Sequence, residues 1–342
     1  MKDVSIIGTR GSALALAQAR EVLDRLRAAH PRLSFDMKII KTTGDKIKTG
    51  SLAKSGTKGL FTKELEQALL QRKISMAVHS LKDLPTDIPA GLAVAAVPER
   101  EDPRDVLIYK DPDWTPQQGG TVATSSPRRH FQLRHRWTKL ECMEIRGNVE
   151  TRLQKLVGHS EWDAIVLAGA GLKRLGFLSQ SEPEFLLFEK GPTRSEMEVR
   201  SIVGIDSVPR PHSKSAGRNG WPLRYRWLSL EEMIPAPGQA AMGIEILSED
   251  ERARSLAAPI NRFRSQAEVL AERSFLSAMG GGCLQPLAAI ARATHEQLTL
   301  RGVVFSSDGG RWWEDEVAGS LSEHEDLGKT LAEKMKSKGS AL

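Results

Sequence analysis

The stretch Val4-Ser5-Ile6-Ile7-Gly8-Thr9-Arg10-Gly11-Ser12 places a short apolar run before a turn that contains glycine. Residues 13–29 follow with apolar side chains at helical spacing, and Pro31 marks the end of this helix. Residues 35–40 then form a second run of strand length. The order strand, helix, strand predicts that the chain opens an α/β sheet.

The same order of elements recurs along the chain. A helix over residues 62–71 and a strand from Met76 complete the first unit. Further predicted elements are strands over 92–97, 121–124, 140–145 and 164–167, and helices over 127–137, 149–157 and 265–279. Two or three strands after Leu287 and a terminal helix then indicate a smaller α+β unit. The pattern therefore predicts two α/β domains and a small α+β domain.

Domain boundaries follow from these elements and from composition. Residues 98–105 form a charged segment that contains proline, where the chain could leave for a second domain. The segment Pro235-Ala236-Pro237-Gly238 is suited to carry the chain back to the first domain. The predicted domains are a discontinuous first domain over residues 1–100 and 236–262, a second over 101–235, and a third over 263–342. Residues 190–227 break the pattern, and we interpret them as a basic insertion that forms a long loop or is disordered.

Charge and composition exclude several classes of protein. The 342 residues carry a formal net charge of +6, and residues 190–227 alone contribute +5, so a nucleic-acid binder would have to use this insertion. The two cysteines, Cys142 and Cys283, exclude a disulfide framework and fit a reducing compartment. Because no apolar run could span a bilayer and no signal-peptide core follows Met1, we expect neither membrane insertion nor export.

Arginines recur where predicted strands end and helices begin. Arg10 follows the first strand, and Arg128 and Arg129 open a later helix. Arg146 and Arg152 bracket the turn before the next helix. Open α/β sheets bind ligands at such strand ends, and helix N-termini favour anions. Because a guanidinium can hold a carboxylate or phosphate through two parallel hydrogen bonds, these arginines predict a cleft for a ligand with several acidic groups.

Two further stretches are candidates for chemistry. His79-Ser80-Leu81-Lys82-Asp83-Leu84-Pro85 joins an apolar strand to a proline stop, so a lysine and a carboxylate lie on a turn. The carboxylate could stabilise developing positive charge or move a proton, and a solvated surface ion pair is the alternative. Cys283 follows three glycines beyond a helix, where a thiolate could form a covalent bond or simply be exposed. Cys142 is interpreted as a core residue.

Several known signatures are missing. The chain has no G-x-G-x-x-G, no Walker G-x-x-x-x-G-K-[ST], no G-x-S-x-G and no H-E-x-x-H. The eight histidines are scattered, so no metal site is predicted. The tryptophans do not interleave with basic residues in the body of the chain, as a platform for single-stranded nucleic acid would need. We interpret Trp312 and Trp313 as sheet packing.

The motifs together resemble those of the hydroxymethylbilane synthase family, also called porphobilinogen deaminases. The resemblance covers nearly the whole chain apart from residues 190–227. Its matching stretches are Gly8-Thr9-Arg10-Gly11-Ser12, Thr43-Gly44-Asp45, residues 58–65, residues 78–85, residues 100–105, residues 124–129, Ile145-Arg146-Gly147-Asn148, residues 170–176 and Gly281-Gly282-Cys283. So many matches in one order are highly specific.

The resemblance implies a transferase of tetrapyrrole biosynthesis, the route to haem and chlorophyll. Such enzymes join four porphobilinogen molecules head to tail, release ammonia at each step, and free hydroxymethylbilane by hydrolysis. The primer is a dipyrromethane cofactor held by a thioether to a loop cysteine, here Cys283. The implied fold has two domains like those of periplasmic binding proteins, with a cleft between them, and a small α+β C-terminal domain. A cytoplasmic monomer is expected, or a plastid protein if a transit peptide has been removed.

The resemblance also assigns roles to residues of this sequence. The catalytic aspartate falls on Asp83, which would assist loss of the amine and stabilise the cationic azafulvene. The residues implied to bind the cofactor are Lys82, Ser125, Ser126, Arg128, Arg129 and Arg146. The residues implied to bind substrate and growing rings are Arg10, Ser12, Arg146, Arg152 and Arg174. The residues implied to lie on a loop over the cleft are Lys54, Lys58 and Phe61.

Three positions depart from the family pattern. Ala123 and Pro127 replace the glycine and leucine that usually flank Thr-Ser-Ser, and Ala240 stands where glycine is usual. We expect the methyl group of Ala240 to restrict a backbone position that needs glycine. The alternative function is a non-catalytic anion-binding module of periplasmic-binding type, which explains the arginines but gives Asp83 and Cys283 no task.

Overall fold

The computed structural model describes residues 4–43, 59–178, 223–282 and 285–340. The strands within these ranges are β1 (Val4–Thr9), β2 (Ser34–Ile39), β3 (Met76–Ser80), β4 (Leu92–Ala96), β5 (Asp105–Tyr109), β6 (Gly120–Ala123), β7 (Leu140–Met143), β8 (Ala164–Ala168), β9 (Arg224–Trp227), β10 (Met242–Leu247), β11 (Leu287–Thr294), β12 (Gln297–Phe305) and β13 (Trp312–Ser320). The helices are α1 (Ala13–Ala29), α2 (Lys63–Leu70), α3 (Pro127–Arg136), α4 (Val149–Gly158), α5 (Gly169–Arg174), α6 (Glu251–Ala257), α7 (Phe263–Ala278) and α8 (His324–Ser337). Predicted site residues Lys54, Lys58 and Cys283 lie outside the described residues.

The chain divides into two compact units. The first comprises Met1–Pro103 and Ile234–Leu342, and the second comprises Arg104–Met233. The chain therefore leaves the first unit after Pro103 and returns at Ile234. The predicted division into three domains and the predicted cleft stay predictions.

The sheet of the first unit has the strand order β2-β1-β3-β10-β4. Strand β1 is parallel to β2 and β3, whereas β10 is antiparallel to β3 and β4. Helix α1 begins at Ala13 because the Ser12 hydroxyl accepts a hydrogen bond from the Ala15 N–H at 3.3 Å. One turn of this helix apart, Val22 and Leu26 are fully buried and share a cluster with residues of the sheet, which holds α1 on its face.

The sheet of the second unit has the same topology. Its strand order is β7-β6-β8-β5-β9, with β6 parallel to β7 and β8, and β5 antiparallel to β8 and β9. Each sheet thus has three neighbouring parallel strands and, beside them, one antiparallel strand. The antiparallel strand is β10 in the first unit and β5 in the second. Two α/β sheets of one topology confirm the predicted fold class.

A smaller α+β layer completes the first unit. Strands β11, β12 and β13 form an antiparallel sheet in that order, and helices α7 and α8 cover it. Phe275 of α7, Leu300 of β12 and Leu331 of α8 are fully buried in the shared core. This layer matches the predicted C-terminal α+β unit. Among the described residues, no helix combines the length and apolarity needed to cross a membrane.

The interpretation of residues 190–227 as a loop is wrong at its C-terminal end. Strand β9 pairs with β5, placing Trp227 opposite Val106. Leu223 and Tyr225 are buried, whereas the alternating Arg224 and Arg226 are partly exposed. This two-residue period marks a strand, but the basic residues around it conceal the signal.

The interpretation of Trp312 and Trp313 as sheet packing is also wrong in part. Both residues lie on β13, at the edge of its sheet, and Trp312 is 47% exposed. Trp313 is half-buried, and its Nε1 donates a hydrogen bond to the Lys338 carbonyl at 3.0 Å. Burial alternates along β13, and Trp312 lies on the face that is exposed to solvent, whereas Trp313 lies on the opposite face.

Glu272 of α7 is fully buried and joins several parts of the first unit. Its Oε1 accepts hydrogen bonds from Nη1 of Arg100 at 2.7 Å and from the Ala291 N–H at 2.9 Å. Its Oε2 accepts from Nη2 of Arg100 at 3.0 Å and from the Gly238 N–H at 2.7 Å. One carboxylate therefore ties α7 to the segment that leaves the unit, to the segment that returns, and to β11.

We expect Glu272→Ala to lower the free energy of unfolding by about 3–5 kcal/mol, because the buried Arg100 guanidinium loses its bidentate partner. The control is Glu249→Ala, which removes a surface ion pair with Arg72 and should cost less than about 1 kcal/mol. Urea unfolding of both variants checks this prediction. Equal losses in the two variants would contradict it.

Candidate active site

The predicted site residues of the first unit gather at one edge of its sheet. Arg10 and Ser12 follow β1, and Lys82 and Asp83 follow β3. These two strands are parallel neighbours, with Gly8 opposite Ala77, so their carboxyl ends lie side by side. This is the edge at which open α/β sheets bind their ligands.

Buried contacts fix the turn that carries Asp83. Leu81 is 1% exposed, and its N–H donates a hydrogen bond to the Ala241 carbonyl at 3.0 Å. Its side chain lies so close to Gly243 that a Cβ at position 243 would be 2.5 Å from Cδ2 of Leu81. The Asp83 N–H donates to the Ser80 carbonyl at 3.0 Å, while the Asp83 side chain is exposed. The turn therefore presents a solvent-accessible carboxylate on a fixed backbone.

Arg273 of α7 contacts the same turn from the inside. Its Nη1 donates hydrogen bonds to the carbonyls of Leu81 at 3.0 Å and Leu84 at 2.8 Å, and its Nη2 donates to that of Pro85 at 2.7 Å. Arg273 is 7% exposed. This role of Arg273 was not predicted, because an arginine in a predicted helix carries no signal of a distant backbone partner.

Polar pairs lie behind the turn, on β3. Ser80 and Gln18 exchange hydrogen bonds at 2.9 and 3.0 Å, which joins α1 to the end of β3. His79 Nε2 lies 3.0 Å from Glu245 Oε2, and both residues are buried. The strand that enters the turn is therefore anchored by polar contacts on both of its faces.

The structure brings Arg10 and Phe61 together. The guanidinium carbon of Arg10 lies 4.1 Å from the centroid of the Phe61 ring, a cation–π contact. Phe61 was predicted to lie on the loop over the cleft, and here it lies beside a predicted substrate-binding residue. Ser12 caps α1, so its hydroxyl is oriented by the helix that it begins.

The glycine segment before Cys283 lies near the turn. Gly281 has a φ of +56°, in the region that favours glycine. A Cβ at this position would lie 3.1 Å from Oγ1 of Thr86, three residues after Asp83. The described part of the segment that leads to Cys283 therefore lies close to the chain just beyond Asp83.

Ala240 occupies the left-handed region that its position in the family pattern led us to expect. Its φ is +72°, within a turn in which the Ala241 N–H donates to the Gly238 carbonyl at 3.3 Å. A residue with a Cβ in this region carries a strain of about 1–2 kcal/mol. Ala123 and Pro127 fit without strain, since Ala123 is buried in the core and Pro127 is the first residue of α3.

The predicted residues of the second unit also gather at a strand-end edge. Strands β7, β6 and β8 are parallel neighbours. The predicted residues that follow β6 and β7 are Ser125, Ser126, Arg128, Arg129, Arg146 and Arg152. Arg174 is the last residue of α5, the helix that follows β8. Basic and hydroxyl side chains are therefore concentrated at one end of the sheet, as anion binding requires.

Asp105 connects the first two arginines of α3, Arg128 and Arg129. Its Oδ2 lies 2.8 Å from Nη2 of Arg128, and its Oδ1 accepts a hydrogen bond from Nη2 of Arg129 at 2.8 Å. Arg129 Nη1 also donates to the Val166 carbonyl at 3.0 Å. All three charged side chains are buried, and together they carry a formal charge of +1. The triad can therefore attract one further carboxylate.

The two guanidiniums govern the ionisation of Asp105. Burial by itself raises the pKa of the Asp105 carboxyl, but the nearby charges of Arg128 and Arg129 outweigh burial and hold this pKa well below its usual range. Asp105 lies within residues 100–105, which match the family pattern, but no role was predicted for it. It is the first residue of β5, a strand that was not predicted from the sequence.

The other residues at this edge are oriented by the turns. Arg146 pairs with Glu144, with Nε 2.7 Å from Oε1, and the Arg152 Nε donates to the Gly147 carbonyl at 2.8 Å. The Ser125 hydroxyl donates to the Ile145 carbonyl. These contacts join the end of β6 to the turn after β7.

Cys142 is unsuited to covalent catalysis. It lies on β7, packs against a buried cluster, and its burial raises the pKa of the thiol to about 11. The thiol therefore stays protonated at neutral pH, in agreement with its interpretation as a core residue. Among the described residues, no group of His, Cys, Asp or Glu side chains is arranged to hold a metal ion.

We expect Asp105→Asn to lower the free energy of unfolding by about 3–5 kcal/mol near neutral pH, because two buried guanidiniums lose their counter-charge. Because the pKa of Asp105 is lowered in the folded state, its stabilisation is present above the unfolded pKa of about 3.9 and is lost as the pH falls towards the folded pKa.

The stability gap between wild type and Asp105→Asn should therefore shrink by about 1.4 kcal/mol per pH unit below about pH 4. Urea unfolding at a series of pH values measures this gap. The control is Asp113→Asn, which changes an exposed carboxylate of the same unit and should follow the wild type. A gap that does not depend on pH would contradict the assignment.

Comparison with known proteins identifies matches over most of the chain. Residues 5–194 match the model described as "Porphobilinogen deaminase, dipyromethane cofactor binding domain", and residues 266–337 match "Porphobilinogen deaminase, C-terminal domain". The porphobilinogen deaminase of Syntrophus aciditrophicus is 39% identical over 96% of this chain and 94% of that protein. That of Desulforudis audaxviator is 40% identical over 97% of this chain and 94% of that protein. Among solved structures, the regulatory domain of MexT from Pseudomonas aeruginosa has a TM-score of 0.36 at 12% identity, covering 76% of this chain and 97% of that chain.

Proposed function

The chain belongs to the porphobilinogen deaminase family, and from this premise we propose which of its residues carry out the reaction. The enzyme is a transferase that joins four porphobilinogen molecules head to tail and then releases hydroxymethylbilane by hydrolysis. The predicted family, activity and dipyrromethane cofactor are thereby confirmed. The alternative of a non-catalytic anion-binding module is not favoured.

One observation carries the assignment of the catalytic residue. Asp83 is an exposed carboxylate on a turn whose backbone is held by the buried Leu81 and Arg273. A carboxylate that does not have to move can stabilise positive charge as soon as it develops, without reorganisation of its surroundings. Each condensation breaks the C–N bond of a protonated aminomethyl group, which leaves as ammonia, forms a C–C bond to a pyrrole carbon, and releases the proton that this carbon carried. We assign to Asp83 the stabilisation of the positive charge on the substrate as the amine leaves.

The residues of the second unit suit a ligand that carries several carboxylates. The triad of Arg128, Asp105 and Arg129 has an excess positive charge, and it lies at the start of α3, where the helix dipole also favours an anion. When bound, the dipyrromethane supplies the primer to which substrate is joined. We propose that Ser125, Ser126, Arg128, Arg129 and Arg146 of this unit, with Lys82 of the first, bind its acidic groups.

The attachment point of the cofactor is proposed to be Cys283. The chain has one other cysteine, Cys142, whose raised pKa keeps it protonated. A thioether requires an attacking thiolate, so Cys142 is a poor nucleophile for this bond. The closeness of Gly281 to Thr86, whose Oγ1 would lie 3.1 Å from a Cβ at position 281, supports an attachment point near the turn of Asp83.

Substrate binding is proposed for Arg10, Ser12, Arg146, Arg152 and Arg174. The first two lie at the sheet edge that also carries Asp83, which supports a role in orienting an acidic substrate beside the carboxylate. Phe61 is stacked on Arg10. We propose that Phe61, together with Lys54 and Lys58 of the covering loop, shields the substrate and the Asp83 carboxylate from water.

A cytoplasmic monomer remains the proposed form of the enzyme. The content of two cysteines in 342 residues supports a reducing compartment. All residues proposed for the reaction belong to one chain, so no second copy is required. Light scattering during size-exclusion chromatography tests the monomer.

We expect wild-type enzyme to release four molecules of ammonia for each hydroxymethylbilane. Asp83→Asn should retain the cofactor and lower kcat by at least about 100-fold, because the amide cannot stabilise positive charge. Mass spectrometry establishes the cofactor content, and single-turnover kinetics of the loaded enzyme measure the rate.

The control is Asp87→Asn, the same chemical change at an exposed position four residues farther along. It should keep the wild-type rate within a factor of about three, as is usual for a surface substitution. Substantial turnover by cofactor-loaded Asp83→Asn would refute the catalytic assignment. Absence of hydroxymethylbilane from the wild-type reaction would refute the proposed function.

A further inference from the structure

We propose that Arg273 is a positioning residue for the reaction: its guanidinium holds the turn of Asp83 at a fixed place relative to helix α7. This inference rests on the proposed function and adds a residue to it. The three carbonyl acceptors of Arg273, those of Leu81, Leu84 and Pro85, lie on both sides of Asp83 in the sequence. The carboxylate is thus bracketed by bonds to one side chain.

The shape of the guanidinium suits this task. A guanidinium is a planar group with donors at fixed directions, so it can hold several carbonyls in one arrangement, whereas the lysine ammonium is a point charge on a flexible stem. The donor to acceptor distances of 2.7 to 3.0 Å are those of well-formed hydrogen bonds. Loss of the guanidinium would leave buried carbonyls without these donors, and the turn would be free to shift.

Helix α7 connects this contact to the rest of the site. Arg273 lies within α7, which ends at Ala278 and leads into Gly280-Gly281-Gly282 before Cys283. The helix is itself held in place by the neighbouring Glu272, which accepts hydrogen bonds from Arg100 and from two backbone N–H groups. Arg273 therefore sets the position of the catalytic turn against an element that is already anchored.

A purely structural role for Arg273 predicts a different result. In that case a substitution would lower stability, and the folded molecules would still react at the wild-type rate. A positioning role predicts slower chemistry in molecules that are folded and carry the cofactor. Since a misplacement of about 1 Å can cost about 100-fold in rate, kcat should respond far more strongly than KM.

The test compares Arg273→Lys and Arg273→Ala with wild type, each as holoenzyme with its cofactor content verified by mass. We expect kcat to fall by about 10-fold for Arg273→Lys and about 100-fold for Arg273→Ala, with KM within a factor of about three. Guanidinium chloride, at concentrations too low to unfold the protein, should partly restore the rate of Arg273→Ala, and sodium chloride should not.

The control is Glu268→Gln, five residues earlier on α7, whose side chain accepts a hydrogen bond from the Ala293 N–H and lies 3.7 Å from Arg100, and which does not bond the turn of Asp83. Its kcat should stay within a factor of about three of wild type. Two outcomes would overturn the inference. One is a wild-type kcat in both Arg273 variants. The other is a rate loss that guanidinium does not relieve and that Glu268→Gln shares. If Arg273→Ala does not fold, kcat of Arg273→Lys decides. All rates are taken relative to active wild type, so failure of the proposed function would appear separately, as an inactive wild type.

Discussion

Two consecutive charged residues on one helix hold together the parts of the first unit that surround the turn of Asp83. Glu272 and Arg273 lie side by side on α7, and both are buried. Burial of charge is costly unless every charged group is hydrogen-bonded, and here Glu272 accepts four hydrogen bonds while Arg273 donates three. Most of their partners are backbone groups, so the pair fixes the course of the chain and not only the side chains.

In the proposed mechanism, this arrangement separates the catalytic carboxylate from the residues that hold it. Asp83 itself is exposed, as the proposed contact with substrate requires. Its backbone is fixed by Leu81, packed against Gly243, and by the bonds from Arg273. A catalytic carboxylate can then act through its charge without first being ordered by the substrate.

In the second unit a buried charged residue also holds the functional candidates in place, but here the buried residue is acidic and the candidates are basic. There a buried carboxylate, Asp105, holds two arginines. Because one negative charge is matched by two positive charges, the triad stays attractive to the carboxylates of a ligand. An ion pair that was fully neutral would have fixed the arginines equally well, but it would have given them little attraction for an acidic molecule.

Local signals were sufficient to predict most of the framework. Helix α1 spans the predicted residues 13–29 because its cap, its apolar spacing and Pro31 all lie within the segment itself. The placement of Arg10 and Arg128 at strand ends followed from the same short-range pattern. The resemblance of the motifs then supplied the function, which spacing alone left open.

The contacts that fix the site could not be predicted, because they join distant parts of the chain. Arg273 bonds the Leu84 carbonyl across 189 residues, and Arg129 bonds Asp105 across 24. No periodicity or local propensity reports such partners. Strand β9 was missed for a different reason, since its alternation is short and lies within a basic stretch.

Covalent attachment of the primer is tested most directly by the intact mass of the purified protein, followed by peptide mapping. We expect a mass excess equal to two porphobilinogen units less two ammonia molecules, located on the peptide that contains Cys283. The peptide that contains Cys142 should be unmodified. An unmodified Cys283 after incubation with porphobilinogen would contradict the central claim that this chain builds hydroxymethylbilane on a covalent primer.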